Sequence, residues 1–202
     1  MKNFTVIDEN ILLQAGAEIK HYKKKEFIFL EGNHPYFFYQ IKRGKIKLNN
    51  YTDEGVEFLQ NILHKGETLG DDILFTKHAY PMNAVALTDC SVFVLPKNLF
   101  HLLLQERPEL VVDICQCMAE RLYFKFVLLQ SNASRNPQNK LKGLMSYLKN
   151  YHKNEGKFTY QIPLTRQQMA SLTGLAVETV IRAIKNLEQQ GELIIKNRKI
   201  YI

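Results

Sequence analysis

The chain has no apolar run approaching the ~20 residues that a membrane-spanning helix needs. Its first ten residues, Met-Lys-Asn-Phe-Thr-Val-Ile-Asp-Glu-Asn, hold no signal-peptide apolar core. These absences predict a soluble, cytoplasmic protein with no membrane partner. Cysteine is scarce, three in 202 residues. Cys115 and Cys117 lie two apart on an expected helix, about 200° around its axis, so they cannot close on one ion. Cys90 stands in a strand-like run, and all three read as small buried hydrophobes rather than a metal or disulfide framework. His21, His34 and His64 are scattered, and no His-x-His pair exists to begin a metal site on a barrel enzyme. Neither a metal, a cofactor nor catalysis is expected.

What is abundant is positive charge, and it is placed unevenly. The formal net charge is +7. Residues 137–202 hold eleven lysines and arginines against four acids, a local excess of +7, while the first 136 residues are neutral overall. An excess confined to one segment is the electrostatic footprint expected of a protein that meets nucleic-acid phosphates.

That segment contains Leu-Thr-Arg-Gln-Gln-Met-Ala-Ser-Leu-Thr-Gly-Leu-Ala-Val-Glu-Thr-Val-Ile-Arg-Ala-Ile-Lys over 164–185. Thr165 and Gln168 have capping-box spacing and predict the start of a helix with Met169, Ala170 and Leu172 inside. Gly174 supplies the positive φ that ends it. In the next helix Val180, Ile184 and Leu187 face inward, leaving Glu178, Thr179, Arg182 and Lys185 outside as donors and acceptors for base edges and phosphates. The plain alternative is a surface helix pair in which Glu178 and Arg182 form an i,i+4 ion pair.

Upstream, short apolar runs alternate with turn glycines: Glu26–Leu30, Phe37–Ile41, Ile46–Tyr51, Val56–Leu63, Asn83–Leu87 and Ser91–Leu95, with Gly44, Gly55, Gly66 and Gly70 between them. This pattern predicts an all-β barrel or roll. A helix over 99–105 and a long one from Pro108 to about Asn132 follow. The long helix has two apolar stripes. Val111, Cys115, Met118, Leu122, Phe126 and Leu129 form one, a candidate dimer seam; Leu110, Ile114, Cys117, Phe124 and Leu128 form the other, interrupted by Arg121. Asn136-Pro137 reads as a helix start after a hinge, with Leu141, Leu144, Met145 and Leu148 buried in a helix of about 138–153. Phe158–Ile162 reads as a strand. Leu193–Ile195 and Ile200–Ile202 read as a hairpin whose basic tip, including Lys196 and Arg198, would sit near a DNA backbone. The predicted class is α+β: a roll over 1–107, a dimerisation helix and hinge over 108–136, and a winged helix-turn-helix over 137–202.

This order resembles the Crp/Fnr family of bacterial transcription regulators over nearly the whole chain. The stretch from Gly174 to Arg182 is most similar to the fumarate-and-nitrate regulator branch, which has a Val-Glu-Thr then Ser-Arg pattern. Phe29-Leu30-Glu31-Gly32, Ile41-Lys42-Arg43-Gly44 and Gly66-Glu67-Thr68-Leu69-Gly70-Asp71 are similar to the cyclic-nucleotide-binding roll. The resemblance implies a non-catalytic, sequence-specific regulator that binds double-stranded DNA as a homodimer and meets RNA polymerase if it activates. It implies that Thr165, Arg166 and Gln167 touch phosphates, Glu178 accepts from cytosine N4 and Arg182 reads guanine. Val177 stands where the cyclic-AMP receptors have a guanine-reading arginine, and Ile181 where the other branch has serine; both favour thymine methyls.

The effector pocket departs further from the family. Gly70-Asp71 keeps part of the phosphate-holding element, with Asp72 beside it, but Pro81-Met82 falls where Arg-Ser is expected. Loss of that arginine removes a charge-assisted partner, and the aspartates repel phosphate. On the long helix Arg121 and Lys125 belong to the same degenerate pocket, Lys125 and Phe126 standing where adenine-contacting hydroxyls are expected. No cysteines cluster near the N-terminus for an iron–sulfur sensor. The roll is therefore expected not to take cyclic AMP; the alternative is a sensor whose roll binds another small molecule to switch DNA affinity.

Overall fold

A computed structural model describes residues 7–151 and 154–202. Residues 1–6, 152 and 153, and with them most of the N-terminal segment and Lys153 of the charge count, lie outside the described residues. The contacts divide the chain into two compact units, one ending at Glu120 and one running from Arg121 to Ile202.

The first unit opens with α1 (Glu9–Gln14), capped by Asp8, whose side chain accepts from the Asn10 amide. Seven strands follow in two antiparallel sheets. β1 (Glu18–Tyr22), β7 (Cys90–Pro96) and β3 (Phe37–Arg43) form one, in that order. β2 (Phe27–Phe29), β6 (Asn83–Ala86), β4 (Ile46–Tyr51) and β5 (Glu57–Leu63) form the other. A short α2 (Asp71–Leu74) lies between β5 and β6, and α3 (Lys97–Glu106) follows β7. β1 has no apolar alternation of its own; its place comes from pairing with β7 from Glu18↔Val94 to Tyr22↔Cys90.

The β3–β7 pair is apolar on both faces. Tyr39, Ile41, Val92 and Val94 point into the roll, while Phe38, Phe93 and Leu95 form a second core with α1, α3, Leu110 and Ile114. That is why β7 reads as an unbroken apolar run, since a strand covered on both sides has no polar face to alternate. Within β3, buried Gln40 takes the place of a ladder partner: its amide oxygen accepts from the Ile7 N–H at 3.0 Å and its amide nitrogen donates to the Ile7 carbonyl at 2.7 Å. At the β3–β4 turn Gly44 has φ +98, and a Cβ there would lie 2.5 Å from the Cys90 sulfur. Only glycine fits that approach.

α4 (Glu109–Asn132) begins in the first unit and ends in the second. The division falls inside this helix rather than at the 134–137 hinge read from sequence. The reason is local packing: Phe124 stacks on Tyr147 at 4.3 Å, and Ser131 lies so close to Gly143 that a Cβ on the glycine would meet its Oγ at 2.0 Å. Tyr147 and Gly143 lie on α5 (Pro137–Tyr151), which starts as expected, with the Asn136 side chain accepting from the Gln138 amide. α6 (Arg166–Thr173) and α7 (Val177–Gln189) follow, then a hairpin of β8 (Ile194–Lys196) and β9 (Lys199–Tyr201). Residues 158–162 do not form the expected strand. Phe158 has φ +61, which breaks extended backbone, and the segment meets the hairpin through a Gln161↔Tyr201 bridge, bonds from Tyr160 and Ile162 to Ile202 and Ile200, and the Tyr201 hydroxyl donating to Gln161 Oε1. Of the cysteines, only Cys90 is fully buried; Cys117 is half-buried and Cys115 is exposed, because its stripe of α4 faces out.

Candidate nucleic-acid interface

In the helix-turn-helix both arms of the capping box are made: Thr165 Oγ1 accepts from the Gln168 amide at 3.1 Å, and Gln168 Oε1 accepts from the Thr165 amide at 2.8 Å. Gly174 ends α6 with φ +64. Met169, Ala170, Leu172, Val180, Ala183, Ile184 and Leu187 are buried, so the two helices share one core.

The opposite side of α7 carries Glu178, Ile181, Arg182 and Lys185, all exposed, with half-buried Val177 and Thr179 flanking them. Among the described residues Glu178 and Arg182 make no ion pair with each other or with any other group. The surface-pair alternative is thereby weakened, since both heads stay available to a partner. Ala176 at the start of α7 offers no side-chain acceptor, so its first-turn amides are uncapped. Ile181 is exposed (49%) at the same face and makes it partly apolar.

Thr165 and Gln167 are exposed at the start of α6, but Arg166 is half-buried. Its Nη1 donates to the Arg198 carbonyl at 2.6 Å, joining α6 to the hairpin tip. The tip is a two-residue turn, Asn197-Arg198, closed by the Lys196↔Lys199 pair, and both turn residues have positive φ, 49° and 62°. Lys196, Arg198 and Lys199 are exposed. At the hairpin's base Glu188 Oε1 accepts from the Ile195 amide at 3.0 Å, and Lys142 pairs with Glu192 at 3.1 Å. Lys199 completes the basic tip; the Arg166 contact had no sequence signal, being 32 residues long-range.

In the roll, Gly70, Asp71, Asp72 and Met82 gather around one side chain absent from the sequence expectation, Tyr80. Its ring stacks on Phe29 with centroids 3.8 Å apart and planes 11° from parallel. A Cβ on Gly70 would lie 2.6 Å from Tyr80 Cε1. Tyr80 (3% exposed), Phe29, Tyr39, Leu69 and Met82 belong to the roll's interior core. Asp71 is fully buried, Asp72 half-buried, and Pro81 exposed, its carbonyl accepting from Asn50 Nδ2. Burial pushes the Tyr39 hydroxyl up to about 12, with Tyr22 adding to the effect. It raises Tyr80 too, and the neighbouring Tyr39, Asp71 and Asp72 push the same way. Arg121 and Lys125 lie on α4 in the other unit, Arg121 half-buried and Lys125 exposed.

Residues 19–107 match the family described as Cyclic nucleotide-binding domain, and residues 141–202 the Crp-like helix-turn-helix domain. The chain belongs to the Crp/Fnr family of transcription regulators. Among relatives of this Crp/Fnr regulator is electron transport regulator A of Shewanella oneidensis, 25% identical over 185 residues that cover 91% of this chain and 74% of that one. The cAMP-activated global transcriptional regulator CRP of Salmonella typhimurium is 25% identical over 193 residues, 93% of this chain and 90% of that one. Of solved structures, CprK in complex with OCPA superposes with a TM-score of 0.77 at 20% identity, over 99% of this chain and 91% of that one. FixK2 from Bradyrhizobium japonicum gives 0.74 at 19%, over 92% of each. These structures share the fold of this Crp/Fnr chain. The regulator binds DNA through its helix-turn-helix, and no described helix is long and apolar enough to cross a membrane.

Proposed function

We propose that this regulator reads an inverted-repeat DNA site as a cytoplasmic homodimer, with Glu178 and Arg182 on an internal G·C pair and Val177 and Ile181 toward thymine methyls. The observation that carries the base-reading assignment is the exposed face of α7, where Glu178, Arg182 and Lys185 hold no protein partner among the described residues. Thr165 and Gln167 meet phosphates from the start of α6, and Thr179 flanks the same contact. By resemblance the half-site reads T-T-G-A-x, with half-site centres about one helical turn apart. Selection from random oligonucleotides tests this: a two-fold T-T-G-A repeat supports it, and asymmetric single sites overturn both the motif and the dimer. As an activator the dimer would also meet RNA polymerase.

Support for the dimer is on α4. Leu110, Ile114 and Phe124 of one stripe are buried, whereas Val111, Cys115, Leu122, Phe126 and Leu129 (72%) of the other are exposed and Met118 is half-buried. An exposed apolar stripe at near-heptad spacing on a 24-residue helix fits a seam with a second copy. Across a two-fold axis Cys115 would approach its mate, so mild oxidation should give a disulfide-linked dimer that Cys115→Ser abolishes. A monomer by sedimentation would refute the seam.

The roll of this regulator takes no cyclic AMP. Tyr80 and Phe29 fill the space beside Gly70, Met82 is core, and the Asp71 and Asp72 carboxylates near Tyr80 would disfavour a phosphate there. Calorimetry with cyclic AMP and cyclic GMP checks this. Micromolar binding that raises DNA affinity would instead favour the ligand-gated reading.

A further inference from the structure

We propose that Arg166 acts on DNA indirectly: it is a positioning residue that holds the hairpin tip so that Lys196, Arg198 and Lys199 meet the phosphates together. This rests on the DNA-binding reading of the winged helix-turn-helix. The expectation from family resemblance makes Arg166 itself a phosphate contact. Its geometry points elsewhere, because the residue is half-buried and its guanidinium spends a donor on the Arg198 carbonyl at 2.6 Å.

The tip needs such a brace. β8 and β9 have three residues each, and a two-stranded ribbon of that length is marginal in water. The turn between them places Asn197 at φ 49° and Arg198 at φ 62°. A two-residue turn with both φ positive favours Asn-Gly. Asparagine is well suited to the first position, but arginine at the second occupies the left-handed region against its steric preference. The carbonyl that Arg166 holds belongs to that strained residue. The other end of the ribbon is tied separately, by Glu188 to the Ile195 amide and by bonds between Tyr160 and Ile202. Arg166 is thus the side chain that fixes the tip, while the three cations it carries are exposed and make no ion pair among the described residues.

The two roles differ in salt dependence. Each phosphate neutralised contributes about 0.9 to the slope of log K against log salt. A direct contact predicts that Arg166→Met lowers the slope by about one such increment. A brace predicts a loss of two to three, because the contacts of Lys196, Arg198 and Lys199 loosen together. The second readout is a mutant cycle: with Lys196→Ala and Lys199→Ala already in place, Arg166→Met should cost clearly less than in the wild type, since two of the three contacts it organises are gone. The third needs no DNA. Hydrogen exchange of the full chain should show amides 196–199 opening faster in Arg166→Met, with α6 and α7 protection kept, which also shows that the variant is folded. A slope change of one increment with additive mutants and unaltered exchange at 196–199 overturns the brace in favour of a direct contact. Unchanged slope and exchange overturn it outright. Wild-type protein without salt-dependent DNA binding would instead sink the underlying reading, while the exchange arm still decides whether Arg166 orders the tip.

Discussion

Replacing Tyr80 by phenylalanine and by alanine separates what its hydroxyl and its ring do inside the roll. The ring is 3% exposed and stacked on Phe29, so Tyr80→Ala removes a large buried group together with an aromatic pair. Such truncations cost about 3–5 kcal/mol, of which the stack itself accounts for about 0.5–1.5. The hydroxyl is different: it is buried with no hydrogen-bond partner among the described residues. Removing an unpaired buried donor relieves its desolvation cost, so Tyr80→Phe should be neutral or stabilising by about 1 kcal/mol. With a urea m-value of about 2 kcal/mol/M, the roll's midpoint would rise by up to about 0.5 M for phenylalanine and fall by about 2 M for alanine. The two units can melt separately, so the assay follows a roll-specific signal, the reactivity of buried Cys90 in a background of Cys115→Ser and Cys117→Ser. Tyr80→Phe should also leave cyclic AMP unbound, because the ring still fills the space beside Gly70. A loss of more than about 1 kcal/mol in Tyr80→Phe would mean that the hydroxyl is paired. A cost below that for Tyr80→Ala would mean that the ring is not part of a packed interior. Either result refutes the filled-seat reasoning.

Arg182→Ala should cost about 1–3 kcal/mol on the selected site and relax preference at one G·C pair, read by competition binding; equal loss on random DNA would reassign Arg182 to phosphate. Gly174→Ala and Gly44→Ala both place a side chain at positive φ, but a Cβ at Gly174 meets nothing within 4 Å, whereas at Gly44 it meets Cys90 and the Asp89 carbonyl. Chemical denaturation should therefore show about 1–2 kcal/mol lost for the first and clearly more for the second, equal costs counting against the close approach. Burial pushes Tyr39 and Tyr160 up to about 12 in the folded protein. Their protonated forms are favoured by folding, so the stability they contribute is whole below pH ~10 and is lost as pH rises from about 10 to 12. Phenolate absorbance should show a late-ionising class that vanishes on unfolding; uniform ionisation near the ordinary value in folded protein would contradict their burial.

Features that depend on neighbours along the chain were legible before folding was considered. The α6–turn–α7 unit was readable because its signals are local: the Thr165–Gln168 cap, the φ of Gly174 and the apolar spacing of Val180, Ile184 and Leu187 lie within 23 residues and match the structure. The same holds for Asn136-Pro137 before α5 and for strands delimited by turn glycines. Features that depend on distant partners emerge once the elements pack. Glu18–Tyr22 becomes a strand because β7 offers an edge, while 158–162 touches the hairpin without becoming one. Both stripes of α4 are apolar in sequence, and packing against the roll and α5 chose Leu110, Ile114 and Phe124 for burial, leaving Cys115 outside. Tyr80 looks like an ordinary loop residue until the strands carrying Phe29 and Tyr39 close around it. Arg166 looks like a phosphate contact until the chain returns 32 residues later with a strained carbonyl to hold. Hydrogen bonds and ring contacts of that range are set by topology, and no periodicity or capping rule within a helix or turn contains them.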